Sequence, residues 1–295
     1  MPLVVLLLVA LAGGIVTTVA ARRYPTPVVG DDPAAAAAET VAVHAAERPW
    51  LRRALTERLD PQAATGLALT LALGLAIVGG IVVGVLAYLM RSSGRLVEID
   101  RSAGQWGQDH ATSWSTDAIA RVTDLGGTWF VLLLVAVVCV AEYIRLPNRW
   151  IPVFLVTVLL GEVVLVNAVK DLLHRVRPTF NPIAETLGPS FPSGHSATAA
   201  AMYAAVALVL ARRRSPHTRS LLAGAAVAIA IGVAASRVLL GVHWLSDVVA
   251  GLAFGWAWFA LCAVAFGGRF LSFGQPAKKA ARVAERAEAG SAPSR

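Results

Sequence analysis

The sequence has 295 residues, of which 57% are apolar and 15% are charged. Soluble domains average about 45–50% apolar and about 25% charged residues, so the low charge excludes a disordered chain. The net charge is +8, but Lys and Arg lie between and after the apolar blocks, where membrane topology places them, and this argues against a nucleic acid partner. The chain is predicted to be a polytopic membrane protein that contacts membrane lipids.

Seven apolar blocks follow one another along the chain, each close to the length of about 17–25 residues that a helix needs to cross a bilayer. All seven are predicted to be helices, because an open strand could not satisfy its backbone hydrogen bonds in lipid. The predicted fold class is all-α, a polytopic transmembrane bundle of six core helices plus one extra N-terminal apolar helix. Glycines in the second and seventh blocks are expected to allow close helix packing. The blocks comprise residues 2–21, 66–90, 127–144, 150–169, 196–211, 219–237 and 246–266.

The blocks divide the chain into four predicted parts. Residues 1–21 form an N-terminal membrane anchor, which is favoured over a cleaved signal because the positive charge follows this block instead of preceding it. Residues 22–65 form a cytoplasmic linker whose Arg-rich second half is either an interfacial amphipathic helix or a solvated linker helix. Residues 66–266 form the six-helix core, and residues 267–295 form a basic tail that is predicted to be disordered.

The distribution of Lys and Arg predicts the orientation in the membrane. One set of connections holds 18 of the 26 basic residues and is therefore predicted to be cytoplasmic. The opposite connections include residues 91–126, whose tryptophans indicate an interfacial segment, and residues 170–195; both then face outward. The cytoplasmic set comprises residues 22–65, 145–149, 212–219 and 267–295.

Three polar motifs lie at the predicted outward ends of four blocks, so helices that are far apart in sequence can bring them into one site. The combination is far more specific than any single Arg or His at a helix end, which is usually an interfacial anchor. The motifs are KxxxxxxRP from Lys170 to Pro178, PSGH from Pro192 to His195, and SRxxxxxHxxxD from Ser236 to Asp247.

The basic residues of the motifs suit a phosphate ligand. Arg177 and Arg237 can offer planar bidentate donors to phosphate oxygens, and Lys170 adds a mobile point charge. Ser193 and Gly194 lie where a helix begins, and the unpaired N–H groups at such a place favour an anion. The motifs therefore predict a cradle for a phosphoryl group.

Two histidines are predicted to divide the acid–base work. His243 and Asp247 are four residues apart, so they share a helical face and the carboxylate can hold one ring nitrogen as N–H. The other nitrogen of His243 is then free to act as a nucleophile. His195 can protonate the leaving oxygen and later activate water. The scheme requires no metal and no cofactor.

These motifs resemble the complete signature of the type 2 phosphatidic acid phosphatase superfamily, the membrane lipid phosphatases related in fold to bacterial acid phosphatases and vanadium haloperoxidases. The resemblance implies a metal-independent phosphomonoesterase or pyrophosphatase that passes through a phosphohistidine on His243. It implies that His195 is the acid/base and that Asp247 orients His243. The phosphate-binding residues it implies are Lys170, Arg177, Ser193, Gly194, His195 and Arg237.

Two further residues are candidate supporting groups. Arg175 occupies a place where similar sequences often carry an arginine, which suggests another phosphate contact. Glu162 lies within a span, on the same helical stripe as Lys170 and about 12 Å deeper. It either lines the inner end of the substrate cavity or is a neutral acid hydrogen-bonded between helices.

The expected substrate is a lipid phosphate whose headgroup reaches the outer surface of a bacterial plasma membrane. Polyprenyl diphosphates such as undecaprenyl diphosphate, phosphatidic acid, diacylglycerol diphosphate and phosphatidylglycerophosphate all fit, and the sequence does not choose among them. The alternatives are a non-hydrolytic lipid-phosphate transporter or flippase, and a haloperoxidase. The oligomeric state is left open.

Overall fold

The computed structural model describes residues 1–23, 61–145, 147–181, 188–212 and 214–270. All regular secondary structure in these ranges is α-helical, which confirms the predicted fold class. The predictions for residues 24–60 and 271–295 lie outside the described residues. The helices are α1 (Pro2–Arg23), α2 (Pro61–Ser92), α3 (Gly94–Asp109), α4 (Ser113–Asp124), α5 (Thr128–Arg145), α6 (Trp150–Leu173), α7 (Gly194–Ala211), α8 (Pro216–Leu239) and α9 (Leu245–Phe270).

Six of these helices, α1 and α5 to α9, are long and apolar enough to cross a membrane. The bent pair of α2 and α3 adds a seventh if it is counted as one span. The chain is thus a multi-pass membrane protein. Helix α7 is the most enclosed, with 67% of its spanning stretch buried against 17% for α1. Helix α7 therefore forms the centre of the bundle, and α1 lies at its periphery.

Small residues let the neighbouring helices approach α7 closely. Helix α7 is rich in alanine, and a Cβ atom added to Gly255 of α9 would lie 2.3 Å from the carbonyl oxygen of Ala197. A Cβ atom added to Gly251 would lie 2.5 Å from the carbonyl oxygen of Ser193. Both glycines are needed where α9 crosses α7. The larger side chains of α5 and α6, among them the fully buried Phe154, fill the rest of the core.

The glycines of α2 were expected to serve the same purpose, and this prediction holds for one of three. A Cβ atom added to Gly79 would lie 2.6 Å from the Cβ atom of Ala257, so Gly79 packs against α9. The prediction was wrong for Gly80 and Gly84, where an added Cβ atom would meet nothing within 4 Å. These two lie on sides of α2 that no described part of the chain covers.

The helices define two ends of the bundle. Helices α6 and α8 end, and α7 and α9 begin, at what we call the motif end. The opposite end carries most of the loop arginines, and Arg212 there pairs with Glu142 across α7 and α5. Helix α1 runs antiparallel to α8: Pro2 shares a pocket with Leu239 at the motif end, and Gly14 packs on Gly224 further along.

Helices α3 and α4 lie across the motif end. Helix α3 is bent by 97° from α2, and the break falls at Ser93, whose side chain accepts the N–H of Leu96 and so caps α3. Helix α4 starts with a capping box between Thr112 and Ser115. The side-chain amide of Gln108 donates to the last turn of α8. This last bond, to the carbonyl of Leu239 at 3.1 Å, holds the end of α3 against the end of α8.

We expect Gly255→Ala to destabilise the protein in detergent by about 1–3 kcal/mol, because the new methyl group must displace backbone in a packed core. Gly84→Ala is the matched control and should not lower the melting temperature, because an added Cβ atom there meets no described residue within 4 Å and alanine favours a helix over glycine. Thermal unfolding of both variants measures the difference. Equal melting temperatures would contradict the close packing of α9 on α7.

Candidate active site

The ends of four helices meet at the motif end and bring the three motifs together. The N–H of Ser193 donates to the carbonyl of Asp247 across 3.0 Å, which joins the start of α7 to the start of α9. The Nζ atom of Lys170, on the last turn of α6, lies 3.9 Å from the position of a Cβ atom on Gly194. The predicted convergence of these helix ends is therefore present in the structure.

His195 lies on the first turn of α7, near the basic residues of the site. The charges of Arg237, Lys170 and Arg177 act on its ring, as does His243. On its other side, the turn between α4 and α5 packs closely: a Cβ atom added to Gly126 would lie 3.0 Å from the carbonyl oxygen of His195. His195 is thus held between this turn and the cluster of basic residues.

The loop after α6 aims Arg177 into the site. Helix α6 ends because His174 adopts the left-handed conformation, with φ at 45°. Arg177 then donates from Nε to the carbonyl of Gly188 at 2.8 Å and from Nη1 to that of Val242 at 2.8 Å. Burial lowers the pKa of Arg177 below its ordinary value, and the nearby Asp247 carboxylate opposes that shift. The guanidinium remains charged at neutral pH.

A tight turn after α8 places His243. Gly241 has φ at +68°, and a Cβ atom there would lie 2.9 Å from the side-chain nitrogen of Gln108, so this position requires glycine. The turn closes when the N–H of His243 donates to the carbonyl of Arg237 at 3.2 Å. The ring of His243 is consequently buried at the start of α9, with 2% of the residue exposed.

The hydrogen bonds of the His243 ring fix its tautomer. Nδ1 lies 3.3 Å from Oδ2 of Asp247, and Nε2 lies 2.9 Å from Nη1 of Arg177. A carboxylate can only accept and a guanidinium can only donate, so Nδ1 carries the proton and Nε2 presents its lone pair. The predicted orientation of His243 by Asp247 is the one seen here.

Burial determines the charge of His243. It lowers the pKa of the ring from 6.5 to about 4, although the hydrogen bond and the negative charge of Asp247 act in the opposite direction. The positive charges of Arg177 and Arg237 add to the lowering. The ring is therefore neutral at physiological pH.

Arg237 carries an unsatisfied donor. Its Nη1 atom donates to Oγ1 of Thr123 at 3.2 Å, whereas its buried Nε atom has no hydrogen-bond partner among the described residues. Only 8% of Arg237 is exposed. Buried donors are rarely left unpaired, because losing water without a replacement costs free energy. Arg237 thus has a donor available for an acceptor that the described part of the chain does not supply.

The start of α7 offers further donors. Ser193 occupies the N-cap position but makes no side-chain cap bond; its hydroxyl oxygen accepts from Ser196 at 3.0 Å. The N–H groups of the first turn have no partner within the helix. A Cβ atom at Gly194 would point towards Lys170 without a clash. The space in front of Gly194 is therefore open towards a cation.

The two supporting candidates have partners within the protein. Arg175 donates to Ser246 at 2.7 Å, to Asp100 at 2.7 Å and to Asp247. The Oε2 atom of Glu162, buried in α6, accepts from a side chain on α7 at 2.9 Å. Glu162 is therefore hydrogen-bonded between two helices, which is one of the two roles expected from the sequence. A role at the inner end of the substrate cavity stays a prediction.

Three residues around the site were not singled out from the sequence. Thr123 contacts Arg237, while Asp100 and Ser246 contact Arg175. Asp100 and Thr123 precede the motifs by many residues and belong to no recognisable spacing. Only Ser246 had a signal, its position next to Asp247. Among the described residues, no group of three or more His, Cys, Asp or Glu side chains is arranged to hold a metal ion.

Comparison with known proteins identifies the family of this chain. The sequence profile of the PAP2 superfamily matches residues 151–270, which contain all three motifs. Phosphatidylglycerophosphatase B of Bacillus subtilis strain 168 is 32% identical over 145 residues, which cover 48% of this chain and 70% of that protein. The chain belongs to the PAP2 superfamily. The resemblance found in the three motifs is thereby confirmed.

Other members of the PAP2 superfamily are similar over shorter stretches. The lipid A 1-phosphatase of Rhizobium etli is 38% identical over 122 residues, which cover 38% of this chain and 48% of that protein. The lipid A 1-phosphatase of Rhizobium johnstonii is also 38% identical over 122 residues and is covered to 46%. The chain therefore spans about half the length of these two relatives.

A solved structure of the PAP2 superfamily shares the fold. The crystal structure of a transmembrane PAP2 type phosphatidylglycerolphosphate phosphatase from Bacillus subtilis superposes with a TM-score of 0.59 and 27% sequence identity. The superposition covers 63% of this chain and 93% of that chain. The shared part is a transmembrane helix bundle.

The buried state of His243 can be tested by titration. In protein labelled with ¹⁵N-histidine, the ring nitrogens of His243 should titrate near pH 4, below the ordinary value of about 6.5, because burial disfavours the protonated ring. The signals that vanish in His243→Ala assign the residue. Between about pH 5.5 and 8 one ring nitrogen should remain protonated and the other bare. A midpoint near 6.5 would contradict the buried, neutral ring.

Proposed function

We propose that the protein is an integral-membrane lipid phosphate phosphatase that removes the terminal phosphate of a lipid phosphate or diphosphate. The observation that carries this proposal is the His243 ring, held between Asp247 and Arg177 with its Nε2 lone pair facing the basic cluster. A neutral, oriented imidazole beside several cations suits attack on a phosphoryl group. Membership of the PAP2 superfamily, with phosphatases among its members, supports it.

In the first half of the reaction, Nε2 of His243 attacks phosphorus and the bond from phosphorus to the lipid oxygen breaks. His195 begins this step as an imidazolium, whose charge the bound phosphate dianion stabilises, and it donates its proton to that leaving oxygen. The Asp247 carboxylate stabilises the positive charge that the ring acquires, through Nδ1. The product is a phosphohistidine on His243 and a dephosphorylated lipid.

In the second half, water replaces the lipid. His195, now neutral, takes a proton from a water molecule whose oxygen attacks the phosphohistidine. The bond between phosphorus and Nε2 breaks, its electron pair returns to the ring, and inorganic phosphate leaves. Before the first step, phosphate must draw Arg177 away from His243, because Nη1 of Arg177 lies 2.9 Å from Nε2 of His243 in this structure.

Positive charge on the protein stabilises the transition state in this scheme. Lys170, Arg177 and Arg237 surround the proposed phosphoryl position, and the first-turn N–H groups at Gly194 add donors. The unpartnered Nε atom of Arg237 would gain its acceptor from a phosphate oxygen. We therefore propose that turnover needs no divalent metal.

The nature of the substrate follows from where the site lies. The motif end of an apolar bundle suits a phosphate at headgroup level whose chain remains in lipid. Phosphatidylglycerophosphate is the first candidate, because the relative with the larger coverage is a phosphatidylglycerophosphatase. Lipid A phosphates, phosphatidic acid and polyprenyl diphosphates such as undecaprenyl diphosphate are the others.

We also propose that the site faces outward from a bacterial plasma membrane. The loop arginines concentrate at the opposite end, where Arg145, Arg149 and Arg212 lie, and basic loops favour the cytoplasm. The Bacillus and Rhizobium relatives support a bacterial membrane.

The proposal is tested by phosphate release from a panel of these lipids in excess chelator. Wild-type protein should release phosphate, and His243→Ala should lose turnover by at least about 10⁴-fold, because the nucleophile is gone. His217→Ala, an exposed histidine at the opposite end, is the matched control and should retain full activity.

Three outcomes would contradict the proposal. Substantial turnover by His243→Ala would place the nucleophile elsewhere. A strict requirement for a divalent ion would refute the metal-free scheme. Binding of lipid phosphate without any release would favour the non-hydrolytic transporter.

Gly194→Ala separates phosphate binding from folding. The new methyl group meets only Lys170 and Val166, at 3.9 and 4.0 Å, so the melting temperature should stay unchanged. The same methyl group would occupy space in front of the proposed phosphate, and kcat/KM should fall about tenfold or more, which equals about 1.4 kcal/mol. Gly84→Ala serves again as control. Unchanged kcat/KM would show that phosphate does not approach Gly194.

A further inference from the structure

We propose that Asp100 and Arg175 are positioning residues that hold Asp247, and through it the His243 ring, in the geometry needed for attack. This inference rests on the proposed function, because it takes His243 as the nucleophile. Arg175 then supports the catalytic carboxylate instead of making the phosphate contact that its position in the sequence suggests.

The guanidinium of Arg175 is already occupied by protein side chains. Its Nη1 atom donates to Oδ1 of Asp247 and to Oγ of Ser246, the latter at 2.7 Å. Its Nη2 atom donates to Oδ2 of Asp100 at 2.7 Å. The Cζ atom also lies 5.6 Å from the ring centroid of Trp244, which adds a cation–π contact. Arg175 thus binds the carboxylate oxygen of Asp247 that does not contact the His243 ring.

Asp100 anchors this arrangement from helix α3. Only 1% of the residue is exposed, and its Oδ1 atom accepts the N–H of Ser246 at 2.8 Å. Its Oδ2 atom accepts the hydroxyl of Ser246 at 2.6 Å in addition to Arg175. A buried carboxylate is costly unless its charge and lone pairs are matched. Both partners of Asp100 lie beside Asp247, because Ser246 precedes it in the chain and Arg175 donates a hydrogen bond to it.

Both oxygens of Asp247 are consequently fixed. Oδ1 is held by Arg175, while Oδ2 accepts the N–H of Trp244 at 3.0 Å and Nδ1 of His243 at 3.3 Å. The carboxylate cannot rotate without breaking bonds on both sides. Rotation of Asp247 would release the ring from the tautomer that exposes Nε2.

Asp100 also balances the charge of the network. Arg175 alone beside Asp247 would draw negative charge away from the imidazole and weaken its support for the phosphohistidine. The second carboxylate compensates for the guanidinium, so two acids and one base leave one net negative charge facing His243. An amide at position 100 would keep the shape of the side chain but remove this compensation.

The kinetic signature distinguishes positioning from phosphate binding. Loss of a positioning residue lowers kcat and leaves KM and the inhibition constant of inorganic phosphate nearly unchanged, because phosphate does not touch it. Loss of a phosphate ligand raises both of these constants. Asp100→Asn, Arg175→Gln and Arg175→Lys are the informative variants, and Glu98→Gln, an exposed acid on the same helix, is the matched control.

We expect Asp100→Asn and Arg175→Gln each to lower kcat by about 10- to 100-fold, as the loss of orienting partners typically does. The kcat of the double variant should be no lower than that of the less active single variant, because the two residues act as one unit. Arg175→Lys should recover part of kcat. Added guanidinium should partly restore Arg175→Ala but not His243→Ala, compared with sodium chloride at equal ionic strength.

Every rate refers to the folded fraction measured by size exclusion in detergent. If Asp100→Asn does not fold, the Arg175→Lys variant and the guanidinium experiment decide the question. An unchanged kcat in Arg175→Gln, or a raised phosphate inhibition constant with kcat retained, would overturn the inference. So would the absence of recovery by both lysine and guanidinium. A wild-type protein without phosphatase activity, or an active His243→Ala, would instead overturn the proposed function.

Discussion

Repulsion among like charges is the constraint on which the motif end depends. Lys170, Arg177 and Arg237 converge there at the ends of apolar helices, where water cannot screen them fully. Hydrogen bonds to backbone carbonyls and the Asp247 carboxylate offset part of the cost for Arg177. Arg237 keeps a donor that no described residue pairs. An arrangement of this kind gains free energy from any anion that enters it.

Close helix packing makes that convergence possible. The start of α7 reaches the start of α9 because Gly251 leaves the carbonyl of Ser193 unobstructed, and the N–H of Ser193 then bonds the carbonyl of Asp247. A larger side chain at Gly251 would separate the PSGH motif from the last motif. Gly251 therefore shapes the site through helix packing, although it belongs to none of the three motifs.

The sequence revealed the site better than its surroundings. Apolar blocks predicted the helices, and motif spacing predicted that His243 and Asp247 share a face, because both properties are local. The sequence did not predict that Arg175 contacts Asp100, because that contact joins residues 75 positions apart and depends on how α3 bends away from α2. The packing prediction was wrong for Gly80 and Gly84 for a similar reason. A glycine indicates that close packing is possible, but it does not indicate which side of the helix has a neighbour.

The bend before α3 has a consequence for how such proteins can be dissected or recombined. The family match begins at residue 151, so a fragment cut there would contain every motif and yet lack the acid that α3 contributes. Exchanging only that fragment with a relative would combine the Arg175 of one protein with the α3 helix of the other. Given the proposed role of Asp100, the functional module begins well upstream of residue 151, where the family match starts.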